Sequence, residues 1–418
     1  MRALSDVCGF WGLPMAFVKC VSSPTLLIAP LFLALLLPAV AWAQTRFHPQ
    51  ESKVLLKTES NQTEVRRLRE ALEHWRLDPQ NIDTATDSAR AAILAAIRQG
   101  DLRWLGNAKA MLKPWWEQQR LPIETLFIRA LIRQGAHDFE GALNDLDAAI
   151  AKDPQQPEFW SWRFAIYMVR AEIAKAREEC SAIGSRFGRI EQEGCNAVLL
   201  YRTGNPKSAT IVLDRLSKHP DYQGQHAQEW LAFHRGEALR VAGDQNGAKR
   251  AWESHLKTGS AGHGLRVALI DLLNRDGKYA EAWRLNNQTP RTDALLVAAI
   301  QSAQGLKNGQ EQSLIAELEQ RLRQQEARGD SIHERPIIKY QLMIKRDAKT
   351  ALKMAQAAWK TEREPADALL FAEAAIQSGS PKQASVLLQW QSETGYRDPD
   401  LDRLMMEIRQ AIPSAEQR

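Results

Sequence analysis

One stretch, residues 225–257 (QHAQEWLAFHRGEALRVAGDQNGAKRAWESHLK), sets the terms for the whole chain. Its first half carries Leu231, Ala232, Ala238 and Leu239 at helical spacing. Gly243 stands where that helix should stop, because glycine takes the left-handed cap conformation at little cost. A second amphipathic run follows at once, with Ala248 and Trp252 four residues apart on one face. Gly236 lies inside the first run, where glycine costs about 1 kcal/mol against alanine, so its use is to let the second helix approach closely. The unit reads as a tight antiparallel helical hairpin that cannot bury its apolar side alone.

The unit recurs. With the packing alanine of each second helix as a ruler, the series runs Ala108, Ala142, Ala176, Ala209, Ala248, Ala282, Ala316, Ala351, Ala384, at steps of 34, 34, 33, 39, 34, 34, 35 and 33. Alanine is common, so a single step decides nothing, but this many consecutive steps with one outlier make a repeat. The long step places an insertion at residues 220–224 (PDYQG), a stretch of turn composition. Ala142, Leu146, Ala149 and Pro154 mark one second helix and its stop, behind a turn from Gly135 that is longer than its counterparts. Gly204, Ala209, Leu213, Leu216 and Pro220 mark another. Gly277 and Ala282 keep the spacing, while Asn286 puts a polar group at the large position. Ala316 lacks a matching glycine and Ala351 has Asp347 in its place, so these two units rest on spacing; Gly379, Ala384 and Leu388 restore the pattern. Ahead of the series, residues 63–77 form a helix with Val65, Leu68, Leu72 and Trp75 on one face, ended by Asp78-Pro79.

The order small residue (Gly236), apolar residue (Leu239), Gly243, Ala248, Trp252 is similar to the tetratricopeptide pattern, and the chain resembles tetratricopeptide repeat proteins of the secreted bacterial type over residues 85–412. The resemblance implies an all-α fold, a right-handed α–α superhelix of about eight to nine hairpins with a concave groove. It also implies a non-catalytic, partner-assembling role. The expected division is a signal peptide at 1–43, an extended lead-in at 44–62, the repeat array at 63–400, and a capping helix with tail at 401–418 that covers the last apolar face.

The first 43 residues are of different material. An apolar run at 26–40, preceded by Lys19 and interrupted by Pro38, leads into Ala41-Trp42-Ala43, a small-x-small cleavage signature. This predicts export to the periplasm with cleavage after Ala43; Met15 gives a more usual signal length than Met1, and both starts stand. A retained anchor is the alternative, although the run is shorter than the roughly 18–20 residues of a span. Cys8 and Cys20 would leave with the leader, so Cys180 and Cys195 remain and are expected to pair in an oxidising compartment.

The net charge of +5 is spread along the 418 residues without the basic stripe of a nucleic-acid binder. The phosphate-loop, zinc-protease, serine-elbow and calcium-loop motifs are absent, so no catalytic residue, metal ligand or cofactor is expected. In His137-Asp138 the aspartate is expected to cap the second helix. Glu178 and Glu179 are adjacent on a helix and suit a solvated face, and Trp115-Trp116 suits packing better than a sugar platform. The glycine-rich residues 259–264 read as a connector.

One pattern stands above background. Arg98, Arg133, Arg202 and Arg275 each lie two residues before a hairpin glycine (Gly100, Gly135, Gly204, Gly277). By the resemblance, this offset faces the groove, where guanidinium groups would take the carboxylates of a protein or peptide partner, in an acidic segment or a free chain terminus. Tyr201, Trp230, Phe233, Glu237 and Arg240 share the groove by the same offset. The competing reading is that a cation near a helix C-terminus is favoured by the macrodipole and needs no ligand. Two further functions stand beside the scaffold: an accessory or quality-control factor for an envelope assembly, secretion or metal-transport system, and an envelope enzyme using residues 305–346, where His333 and Glu334 are the chemical pair.

Overall fold

A computed structural model describes residues 62–100, 103–258, 262–287, 291–328 and 334–412. The leader with its cleavage site, the lead-in up to residue 61, His333 and the tail beyond residue 412 lie outside the described residues. Helix α1 (Gln62–Leu77) precedes nine hairpins among the described residues. These are α2 (Ile82–Gln99) with α3 (Arg103–Met111), α4 (Ile123–Gly135) with α5 (Phe139–Lys152), α6 (Pro157–Val169) with α7 (Ile173–Phe187), and α8 (Arg189–Arg202) with α9 (Pro206–Leu216). Next come α10 (Gln225–Val241) with α11 (Gln245–Leu256), α12 (His263–Arg275) with α13 (Tyr279–Asn286), and α14 (Asp293–Leu306) with α15 (Glu311–Arg328). The last are α16 (Glu334–Lys339), continued by a π turn over Tyr340–Ile344, with α17 (Ala348–Ala358), and α18 (Pro365–Gln377) with α19 (Val386–Thr394). Helix α20 (Pro399–Gln410) closes the array, and no strand occurs among the described residues.

The local chemistry of the hairpins is repetitive. Asp138, Asp244 and Asp347 cap second helices by accepting from the N–H three residues on, at 3.0, 2.7 and 3.0 Å. The residue after one more step is the packing alanine: Ala142, Ala248 and Ala351, like Ala108, Ala176, Ala209, Ala282 and Ala384, have no exposed surface. Ala316 breaks the series, because it is exposed. Leu314 takes its place, its N–H bonded to the carbonyl of Gln310 at 3.2 Å, and α15 buries Leu314 and Leu318. The ruler slips by two residues there because alanine is as acceptable on a solvated helix face as on a packed one.

The left-handed turn residue is glycine at Gly204, Gly243, Gly277 and Gly379, as the pattern requires. At the α4–α5 turn, however, it is His137, with φ 62°. Gly135 remains helical, and a side chain there would meet Leu105 at 2.6 Å, so this glycine serves packing rather than the turn. Asn286, polar at a large position, is fully buried and donates to the carbonyl of Leu295 at 2.7 Å, which ties its hairpin to the next. Cys180 on α7 and Cys195 on α8 are joined by a disulfide with Cα atoms 5.7 Å apart.

The array curls back on itself. One apolar cluster holds residues of α1–α10 together with residues from Ile338 to Ile412, so the C-terminal hairpins share a core with the N-terminal half. Gly100, at the end of α2, sits against His263 and Thr292, at the starts of α12 and α14.

Candidate functional site

The inner edge of this curl is formed by the hairpin turns. Five turns in succession meet two short segments near the C-terminus: residues 362–364, between α17 and α18, and residues 395–400, which run from the end of α19 into the first turn of α20. At the α4–α5 turn, His137 Nε2 lies 2.9 Å from the carboxylate of Glu362. At the end of α6, the carbonyl of Val169 accepts from the N–H of Arg363 at 2.9 Å. At the end of α8, Arg202 donates to Glu364 at 3.3 Å. Three consecutive residues therefore touch three consecutive turns.

The second segment continues the row. A Cβ on Gly204 would stand 2.6 Å from the carbonyl oxygen of Gly395, so backbone meets backbone at the α8–α9 turn. Arg240, near the end of α10, donates to Asp398 at 2.6 Å, and the Tyr396 hydroxyl donates to the same carboxylate at 3.0 Å. Pro399 packs on Gly243, and Arg275, ending α12, pairs with Asp400. Glu364 (φ −79°, ψ 156°) and Asp398 (φ −153°, ψ 125°) are both extended.

Burial pushes the Asp398 carboxyl up, but Arg240 and the hydrogen bonds from Arg240, Tyr396 and the Leu401 N–H hold it below the ordinary aspartate value. Its charge is thus kept by the rim itself. Glu373 of α18 is raised, by burial first, in a field shared by Arg275, Lys339, Asp400 and Arg403.

The residues singled out from the sequence fall into three environments. Arg202, Arg240 and Arg275 face the rim, each with a carboxylate of this chain. Arg133 does not: with the turn residue at His137 its register differs, and it bonds Asp145 and the carbonyl of Gly141, both at 3.0 Å. The Arg98 side chain lies outside the described residues. Tyr201 and Trp230 are core residues rather than groove lining, Tyr201 sharing a 2.9 Å hydrogen bond with His234 Nδ1. Phe233 is half-buried, and Glu237 pairs with Arg240 on its own helix. Glu179 is not solvated but buried, paired with Arg163 at 2.8 Å.

The carboxylates that complete the rim escaped the sequence reading. Their signal is local: Glu362-Arg-Glu364-Pro365 and Asp398-Pro-Asp400 each hold two acids one residue apart beside a proline, which favours extended backbone. Among the described residues, no group of three His, Cys, Asp or Glu side chains is placed to hold a metal ion, and no helix is long and apolar enough to cross a membrane.

The fold is that of an all-α, tetratricopeptide-like array of helical hairpins, with a charged rim along its turns. No family model and no curated protein matches the sequence. Among solved structures, the chain is similar to a tetratricopeptide repeat protein from Parabacteroides merdae ATCC 43184, at 14% identity and a TM-score of 0.32, over 69% of this chain and 98% of that one. It is also similar to Naa15/Naa10 bound to HypK-THB, at 14% identity and a TM-score of 0.25, over 83% of this chain and 64% of that one. Likeness at this level says nothing of partners, and the architecture rests on the chain's own packing.

Proposed function

We propose that the protein is a non-catalytic interaction scaffold of the bacterial cell envelope, exported to the periplasm, whose turn-lined rim binds an extended acidic segment of a protein partner. One observation carries this reading: Arg202, Arg240 and Arg275, on three successive first helices, each hold a carboxylate at a helix start, Glu364 and Asp398 at the N-caps of α18 and α20 and Asp400 in the first turn of α20. A surface that places guanidinium groups in a row recognises carboxylates by charge and by fork geometry together. The apolar run at 26–40 with its small-x-small end supports export, and the Cys180–Cys195 bridge suits an oxidising compartment.

The test is affinity recovery of the tagged full chain from a periplasmic extract, beside Arg202→Glu with Arg275→Glu. The wild type should be found in the periplasmic fraction and recover a protein that the double variant loses, at equal helical circular dichroism. The same protein recovered by both, or the wild type found in the cytoplasm, would overturn the reading.

A further inference from the structure

We infer that residues 362–364 are a resident occupant of the rim, and that an acidic partner segment binds by replacing them at the turns that end α4, α6 and α8. This rests on the scaffold reading and adds to it how the site is regulated. The two segments on the rim are held in different ways. Residues 395–400 are anchored by Tyr396, whose ring is fully buried and packs against Trp390, with centroids 5.7 Å apart. Lifting them would bring apolar surface into water.

Residues 360–364 are Lys, Thr, Glu, Arg and Glu, with no apolar side chain among them. Lys360, Thr361 and Arg363 are exposed while Glu362 is buried, and the segment's contacts with the turns include two carboxylates and one backbone N–H. Its release breaks polar contacts that an incoming acidic segment remakes in kind, so exchange costs little apolar burial. The attachment is also shared: Glu364 is gripped from its own side by Arg335 at 3.0 Å, which binds Asp367 as well. Arg335 therefore supplies a place for Glu364 when Arg202 turns to a partner. The occupied rim sets the chemistry of that partner: an extended chain with two carboxylates one residue apart.

The probe is a fluorescent peptide copying residues 360–366, with its two glutamates changed to glutamine as the control, followed by anisotropy with the full chain at low salt. Glu362→Gln with Glu364→Gln should bind the acidic peptide at least tenfold more tightly than the wild type does. Adding Arg202→Gln should remove that gain, and the control peptide should bind neither protein. Equal affinity for wild type and the glutamine variant, binding indifferent to Arg202, or no binding to any of them would overturn the proposal. The scaffold reading would still be judged by its own recovery experiment. Should the glutamine variant fold poorly, hydrogen exchange in the wild type decides: saturating acidic peptide should speed exchange of the Arg363 amide, and an unchanged rate would overturn the proposal equally.

Discussion

A Cβ placed on Gly236 would stand 2.0 Å from the indole nitrogen of Trp252, and that nitrogen donates to the carbonyl of Phe233 at 3.2 Å. The absent side chain on α10 is therefore what lets the Trp252 ring of α11 come up against the helix and satisfy its own N–H. Trp252 is fully buried, so it has no room to retreat.

Gly236→Ala should accordingly destabilise the protein, although alanine favours a helix by about 1 kcal/mol over glycine. Overpacking costs roughly 1–3 kcal/mol, and here it adds the lost indole hydrogen bond. A fall in the urea midpoint is the expected result, and Trp252→Phe in the same chain should restore part of it.

The Cys180–Cys195 bridge closes a sequence separation of 15 residues between two neighbouring hairpins. Removing it with Cys180→Ser and Cys195→Ser should lower stability by roughly 3 kcal/mol by chain entropy. Urea unfolding of wild type with and without reductant should show the same difference, and reductant should not affect the double variant.

Arg129 and Asp145 form a buried bidentate pair at 2.9 and 2.6 Å, and Arg129 also donates to the carbonyls of Trp115, Trp116 and Gln118. Asp145 serves Arg133 as well. Asp145→Asn leaves two guanidinium groups short of their counter-charge, a loss of about 3–5 kcal/mol for breaking a buried pair. Chemical denaturation should show it, and the tryptophan fluorescence near Trp115 and Trp116 should change in the folded state.

Glu158 at the start of α6 is pushed up from 4.5 to about 7, by burial first and then by Glu124, with Arg90 opposing. A carboxyl raised in the folded state contributes stability that is complete below the unfolded value and is lost as pH rises through about 7. His263 is lowered to about 4, by burial and then by Arg266, and has the opposite sense: its stability is lost as pH falls from 6.5 toward 4. Comparison of wild type with Glu158→Gln cancels the histidine. Between pH 4.5 and 8 the variant should gain about 3 kcal/mol on the wild type, from a shift of that size at 1.36 kcal/mol per pKa unit. Urea unfolding at the two pH values measures it.

The hairpins were legible in the sequence because their physics is local. An aspartate cap, a left-handed glycine and an alanine where two helices touch are each readable within a dozen residues, as at Asp244, Gly243 and Ala248. Where a unit solved the same problem with other residues, the reading slipped: His137 turns in place of Gly135, and Leu314 packs in place of Ala316. The rim was only half legible. Arg202 and Arg275 stand two residues before a turn glycine and Arg240 three, but Glu364 and Asp398 reach Arg202 and Arg240 from 162 and 158 residues away, a separation at which no spacing rule speaks. Tyr201 and Trp230 stand at groove offsets yet are buried in the core, because burial depends on packing partners that a local offset does not encode.

An open stack of repeats can lengthen or shorten by whole units, since each unit leans only on its neighbours. Here the α2 end abuts α12 and α14, and the segments that start α18 and α20 rest on the turns that end α4, α6, α8, α10 and α12. Deleting or duplicating any single internal unit would shift every later contact along that seam out of step. Such a protein must lose its structure in one concerted event instead of fraying from its ends, and its number of units is fixed by geometry.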